Sequence, residues 1–205
     1  MQKLHPTVLA FGLAALASTS LLAIAQSPAA SAAAGAVPTL PGVPPVPDPK
    51  NLYSETAAGK MSPNVAGALE RIYVPNLRSG DVYVVDPAAM KVIDRFKVGI
   101  GPQHIVPSWD LRTLWVTNNA ERRTDGSLTP IDPKTGKAGT PIDVDNPYNL
   151  YFSPDGKSAI VVAEARKRLD FRDPKTIALQ AELPVPGCRG VNHADFSIDG
   201  KVAIF

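Results

Sequence analysis

Cysteine is almost absent from this chain: Cys188 is the only one in 205 residues. That excludes an internal disulfide framework and any zinc site built on paired thiolates. With no second Cys or Met clustered beside it, Cys188 reads as a small buried hydrophobe. Histidine is scarce as well, at three residues, one of which is His5 near the N-terminus. A dominant charge of one sign is missing too. The formal net charge is +2, too little to mark a nucleic-acid footprint. No C-x-x-C-H occurs, so this stretch attaches no c-type haem. There is no G-x-S-x-G elbow, no H-E-x-x-H helix and no phosphate-binding loop. Asp132-Pro133-Lys134-Thr135-Gly136-Lys137 has a superficial likeness to the last of these, but its glycine spacing is that of a hairpin turn.

Long apolar runs are confined to the N-terminus. Lys3 supplies a weak positive region, Val8 to Ala25 is apolar, and Ala23-Ile24-Ala25 offers an A-x-A cleavage site before Gln26. A membrane anchor is the rival reading, since the run is long for a signal peptide. The small Ala and Ser residues and the cleavage site favour removal. No cysteine follows the site, so a lipid anchor is not expected. Residues 1–25 are therefore expected to be a signal peptide, and the protein to be exported to a secreted, periplasmic or cell-surface location without a stable membrane span. Residues 26–50 are Ala/Ser-rich and then Pro-rich, from Pro38 to Pro49, a tether that cannot build a core.

What the chain does have is a repeat. Ser153-Pro154-Asp155-Gly156-Lys157 reads as a tight turn joining Asn149–Phe152 to Ser158–Val162, because Pro presets φ, Asp bonds the backbone ahead and Gly accepts φ > 0. Equivalent turns lie at Ser108 and Ser197, in steps of 45 and 44 residues. Asp-Pro pairs recur at Asp86, Asp132 and Asp173, in steps of 46 and 41. Only strand-like segments fall between these anchors, a pattern of propeller blades rather than of a helical solenoid. The expected fold is an all-β propeller of four-stranded blades over residues 51–205, with two complete blades and two partial ones. Because a propeller closes into a ring, the chain reads as the N-terminal part of a larger propeller of about seven blades. A half-propeller completed by self-association is the less favoured alternative.

The second strands carry Tyr73-Val74-Pro75-Asn76 and Trp115-Val116-Thr117-Asn118. With the Ser-Pro-Asp-Gly-Lys turn and Val84-Val85-Asp86-Pro87, these resemble the YVTN-type β-propeller repeat family over about residues 71–205. That family falls in a wider group of exported bacterial propellers, archaeal surface proteins, and propellers like the cytochrome d1 haem domain and the amine dehydrogenase heavy chain. The resemblance implies the fold; it is poor evidence for function, because the signature residues serve turns and packing. The third blade departs from it, with Val162-Ala163-Glu164 where Val-Thr-Asn is expected.

Blade geometry turns position into place. His104, Asn149 and His193 stand four residues before the aligned serines, so each should open an innermost strand at the channel mouth. Gly101, Asn146 and Gly190 precede them in loops suited to unusual φ. These side chains could hold a metal, a haem-like group or a polar ligand, with His104 and His193 as the metal candidates. Bracing backbone groups of neighbouring blades is the favoured alternative. The loops on the same face carry Arg78, then Arg122 and Arg123, then Arg166, Lys167 and Arg168, with Arg189 close by. Such a rim would draw a small anionic ligand or an acidic protein partner, although solubilising charge explains it equally well. The leading expectation is thus a ligand- or protein-binding scaffold, with a redox enzyme carrying a haem-like or metal cofactor as runner-up. A propeller hydrolase would need acidic metal ligands in the channel, and Asn149 alone lends it little support.

Export of the full chain should yield a mature product that starts at Gln26. Mass spectrometry of its N-terminal peptide checks this, and an uncleaved chain held in membranes would make the apolar run an anchor.

Overall fold

The computed structural model describes residues 46–205 apart from 49, 52, 122, 124 and 198. The expected signal peptide and nearly all of the expected linker lie outside the described residues. Among the described residues, no helix is long and apolar enough to cross a membrane.

Four antiparallel sheets follow one another along the chain. The first holds β1 (Ile72–Asn76), β2 (Asp81–Asp86) and β3 (Lys91–Lys97). The second holds β4 (Pro102–Pro107), β5 (Leu114–Asn118), β6 (Ser127–Ile131) and β7 (Ile142–Asp143). The third holds β8 (Pro147–Phe152), β9 (Ala159–Ala163), β10 (Arg168–Arg172) and β11 (Leu179–Pro184). β12 (Asp195–Phe196) and β13 (Ala203–Ile204) form a hairpin. Each full sheet is a four-stranded meander, the blade of a β-propeller. β1 matches β5 in sequence, so the first sheet holds the equivalents of the second, third and fourth strands. The residues before it form 3₁₀ turns at Ser54–Thr56 and Pro63–Val65, and the Leu69 amide donates to the Pro133 carbonyl at 2.8 Å.

Two turn devices recur, and both run on backbone amides satisfied by side chains. In the first, Ser108, Ser153 and Ser197 each donate a hydroxyl to the Asp two residues on, at 2.7 Å in all three repeats. The same hydroxyl accepts from the amide five residues on, at 3.0 Å in each case. This bond holds the carboxyls of Asp110, Asp155 and Asp199 below the ordinary carboxylate range. Because these folded values are depressed, their contribution to stability is present above the unfolded carboxylate pKa of about 3.9. It is lost as pH falls through the lower folded values. The fourth turn position needs φ > 0, and Leu111 at +60°, Gly156 at +69° and Gly200 at +66° occupy it. In the second device, Asp86, Asp132 and Asp173 each accept from the amide two residues on, at 2.8–2.9 Å. Four residues past each Asp the backbone is again left-handed, at Met90, Gly136 and Ile177. Ile177 is β-branched at φ +62°, and it is retained there because its side chain is fully buried core.

Strand alternation sends successive side chains to opposite sheet faces, so every core lies between two sheets. Leu114 and Val116 pack toward β2 with Val82 and Ile131, while Trp115 between them joins Leu128, Leu150 and Val161 on the other side. Ile160 and Val162 alternate with Ala159 and Val161, and meet Leu169 of the same sheet and Val191 and Phe196 beyond it. Cys188 is partly buried at the edge of that last cluster.

The turns also pack on one another. The Trp109 ring, from the turn of the second sheet, covers Gly156 of the third, and its Nε1 donates to the Pro154 carbonyl at 3.3 Å. A Cβ at Gly156 would lie 2.6 Å from that ring. Gly156→Val should therefore lose at least about 2 kcal/mol, from strain and steric overlap together. Lys157→Ala should stay within about 0.5 kcal/mol of the parent. Denaturant titrations check both, and in a Trp109→Ala background the cost of Gly156→Val should shrink.

Candidate functional site at the channel mouth

β4 and β8, the first strands of the two full sheets, lie against one another. Both carry a register shift at the same point, between Pro102 and His104 and between Pro147 and Asn149. A bulge of this kind re-aims side chains, and both strands carry it at the channel mouth.

His104 faces the neighbouring blade. Its Nδ1 lies 2.8 Å from the Tyr148 carbonyl oxygen. A carbonyl can only accept, so Nδ1 donates and Nε2 keeps its lone pair. Thr117 on β5 completes the brace: its hydroxyl donates to the same carbonyl at 3.1 Å and accepts from the His104 amide at 3.1 Å. The rings of His104, Tyr148 and His193 meet edge-to-face in all three pairs, with centroids 5.2, 5.7 and 5.9 Å apart. They come from three successive blades. His193 is exposed, and its Nδ1 lies 3.1 Å from the amide oxygen of Asn192. That pairing engages Nδ1 and leaves Nε2 without a hydrogen-bond partner among the described residues.

Asn149 does not join them. It is 6% exposed, its Nδ2 donates to the Tyr151 hydroxyl at 3.0 Å, and its Oδ1 accepts from the Leu150 amide at 2.8 Å. The ring of Tyr148, the residue before it in β8, meets the histidines in its place. Tyr148 was not expected; its one signal is that it precedes an aligned position in a strand that shifts register.

The arginine rim is also rearranged. Arg122 lies outside the described residues. Arg123 is paired with Asp125 at 2.8 Å, and its guanidinium holds the Asp125 carboxyl below the ordinary range. Arg166 grips both oxygens of Asp145 at 3.0 and 2.9 Å. Arg168 is the first residue of β10 rather than a loop residue, and it pairs with buried Asp170 at 2.7 Å and with Glu182 at 3.2 Å. Arg189 is exposed and has no ion pair among the described residues. Arg78 likewise has no ion pair among the described residues, so the face is a mixed set of paired and unpaired charges rather than a uniformly basic field.

A recess of about 430 Å³ opens on this face, lined by Gln103, by the β5–β6 loop, by the turn after β9 and by Arg189. Asn146 holds its floor. This side chain is 2% exposed; its Nδ2 donates to the Asn119 carbonyl at 3.0 Å and to the Glu121 carbonyl, and its Oδ1 accepts from the Ala165 amide at 2.7 Å. Asn146 and Gly101 adopt the positive φ expected of them, at +49° and +63°, whereas Gly190 does not.

Among the described residues, no group of three or more His, Cys, Asp or Glu side chains is placed to hold a metal. His104 and His193 could supply two nitrogens to a metal or a haem-like group, one short of the protein ligands in an ordinary catalytic zinc site.

Blades and mouth together define a β-propeller that gathers its histidines and its recess on one face. No protein-family model matches the chain, and no curated protein matches it. Among solved structures, it is similar to hydrazine synthase of Kuenenia stuttgartiensis, with 23% identity and a TM-score of 0.54 over 67% of this chain and 38% of that one. It is also similar to the dihydro-heme d1 dehydrogenase NirN in complex with DHE, with 21% identity and a TM-score of 0.47 over 62% of this chain and 26% of that one. The periplasmic gluconolactonase PpgL of Pseudomonas aeruginosa matches at 22% identity and a TM-score of 0.45, over 55% of this chain and 36% of that one. Likeness at such identity is likeness of fold.

The two histidines should separate on mutation. His104→Ala removes a bond that ties two blades and should cost about 1 kcal/mol. His193→Ala, at an exposed position with a local partner, should stay within about 0.5 kcal/mol of the parent. Unfolding midpoints of the full chain measure both.

Proposed function

We propose that this chain belongs to an exported β-propeller that acts as a binding scaffold, without chemistry of its own, and that takes a small polar or anionic ligand at the channel mouth. One observation carries the reading: His104, Tyr148 and His193 converge from three successive blades with their rings in mutual contact. Polar side chains gathered in this way at a concave mouth are what small-ligand sites use to orient their guests. Export is supported by the apolar run and cleavage site before Gln26. A protein partner that presents an acidic segment would meet the same groups.

A second reading, a redox protein with a metal or haem-like cofactor, is favoured by the tautomer of His104. A histidine that donates Nδ1–H to a backbone carbonyl and keeps a lone pair on Nε2 has the tautomer of a metal-ligating imidazole. His104 and His193 would be the ligands, and the cofactor would supply the electron-transfer chemistry.

Imidazole NMR signals of His104 and His193 in the full chain, titrated with acetate, succinate and citrate, test the first reading. Saturable shifts of both signals, reduced in Tyr148→Ala, are the expected result; shifts that stay linear for all three anions would overturn it. Metal analysis and a visible spectrum of the protein as purified test the second. Stoichiometric metal or haem, lost in both His→Ala variants without loss of fold, would make this a redox protein.

A further inference from the structure

The recess beside the histidines is lined by four charged side chains that the proposed mouth has not used. Glu121 comes from the β5–β6 loop, Glu164 and Lys167 from the turn after β9, and Arg189 from the connection between β11 and β12. None of the four forms an ion pair among the described residues, whereas the nearby Arg123, Arg166 and Arg168 are all paired. Two carboxylates and two cations therefore share one concavity without neutralising each other. We propose that this recess binds a small zwitterion of the α-amino-acid or short-peptide class. Its ammonium group would sit against Glu121 and Glu164, and its carboxylate against Lys167 and Arg189. The proposal rests on reading this face as a binding mouth and names the ligand class for it.

Charge balance selects that class. Among the described lining residues acidic and basic groups are equal in number, so these groups together favour neither a simple anion nor a simple cation. A ligand with both charges meets both sets through charge-assisted hydrogen bonds. The volume of about 430 Å³ falls within the ordinary range for small-ligand pockets.

The backbone fixes the loops of three of the four groups, Glu121, Glu164 and Lys167, before any ligand arrives. Of the seven described non-glycine residues at positive φ, Met90, Leu111 and Ile177 serve the repeated turns. Of the other four, Glu121 and Lys167 line this recess, Ala120 precedes Glu121, and Asn146 is hydrogen-bonded to the loops that carry them. Buried Asn146 ties the carbonyls of Asn119 and Glu121 to the amide of Ala165, so that the loops of two blades cannot drift independently. Such a pre-set arrangement lowers the ordering cost of binding.

Calorimetric titration of the full chain with three probes tests the assignment: glycylglycine with free termini, N-acetyl-glycylglycine and glycylglycine amide. Glycylglycine should bind saturably, and each blocked probe at least about ten-fold more weakly, since each has lost one set of charge-assisted contacts. Arg189→Ala and Glu121→Gln should each weaken glycylglycine by a similar factor, while Lys137→Ala, in the hairpin turn after β6, should not. Added salt should weaken binding of the free peptide. Equal binding of the three probes, no saturable binding of glycylglycine, or indifference to both recess variants would overturn the proposal. Saturable carboxylate shifts at His104 and His193 without glycylglycine binding would sink this inference and leave the mouth intact; glycylglycine binding with silent histidines would do the reverse.

Discussion

The structure depends on the alternation of side chains across its strands, because that alternation places every core between two sheets. A lone blade would expose Trp115 on one face and Val116 on the other, and neither face could be buried locally. Burial of a side chain of this size is worth about 1.5–3 kcal/mol, and here it is available only when the next blade is present. Each sheet is therefore both a structural unit and half of its neighbour's core, which makes the fold a linear array of interfaces. The functional face inherits this: rings from three blades can converge only because the blades are locked by the packing beneath them.

Backbone strain is distributed with the same logic. The Ser-Asp and Asp-Pro turns each demand one left-handed residue. Glycine fills some of these places, while Leu111, Met90 and Ile177 fill others, held by turn hydrogen bonds or core packing that over-determine the conformation. Those residues are accounted for by architecture. Near the recess, Asn146 repeats the positive φ of Gly101 at its aligned position, and Lys167 that of Gly80, which also directly precedes the third strand of its blade. Ala120 and Glu121 follow neither pattern, and Asn146, a polar side chain with almost no exposure, ties the Glu121 carbonyl in place.

Much of the site was legible as residue types but not as contacts. His104 and His193 were marked by their repeat positions, and the structure brings their rings together. Asn149 has the same repeat position and the same bulge before it, yet it turns inward to Tyr151, and the ring of the preceding residue, Tyr148, meets the histidines. Repeat position does not choose a rotamer; the partners within reach do, here the Tyr151 hydroxyl and the Leu150 amide. The arginines illustrate a different limit. Their loops were assigned from turn spacing, but whether a guanidinium is free depends on where Asp125, Asp145, Asp170 and Glu182 fall, and those partners lie on different strands and loops.

Composition and repeat spacing by themselves determined the all-β class, the blade period and the chemistry of the turns, since these rest on contacts within a few residues of one another. Ser153 and Asp155 make the same turn wherever they are placed, as Ser108 and Ser197 show. What only the tertiary structure decided is everything that needs two blades at once: the fit of Trp109 over Gly156, the tautomer of His104 set by the Tyr148 carbonyl, and the four unpaired charges held around one recess. Those follow from distances between residues some twenty to ninety positions apart, and no local pattern encodes a distance that packing alone fixes.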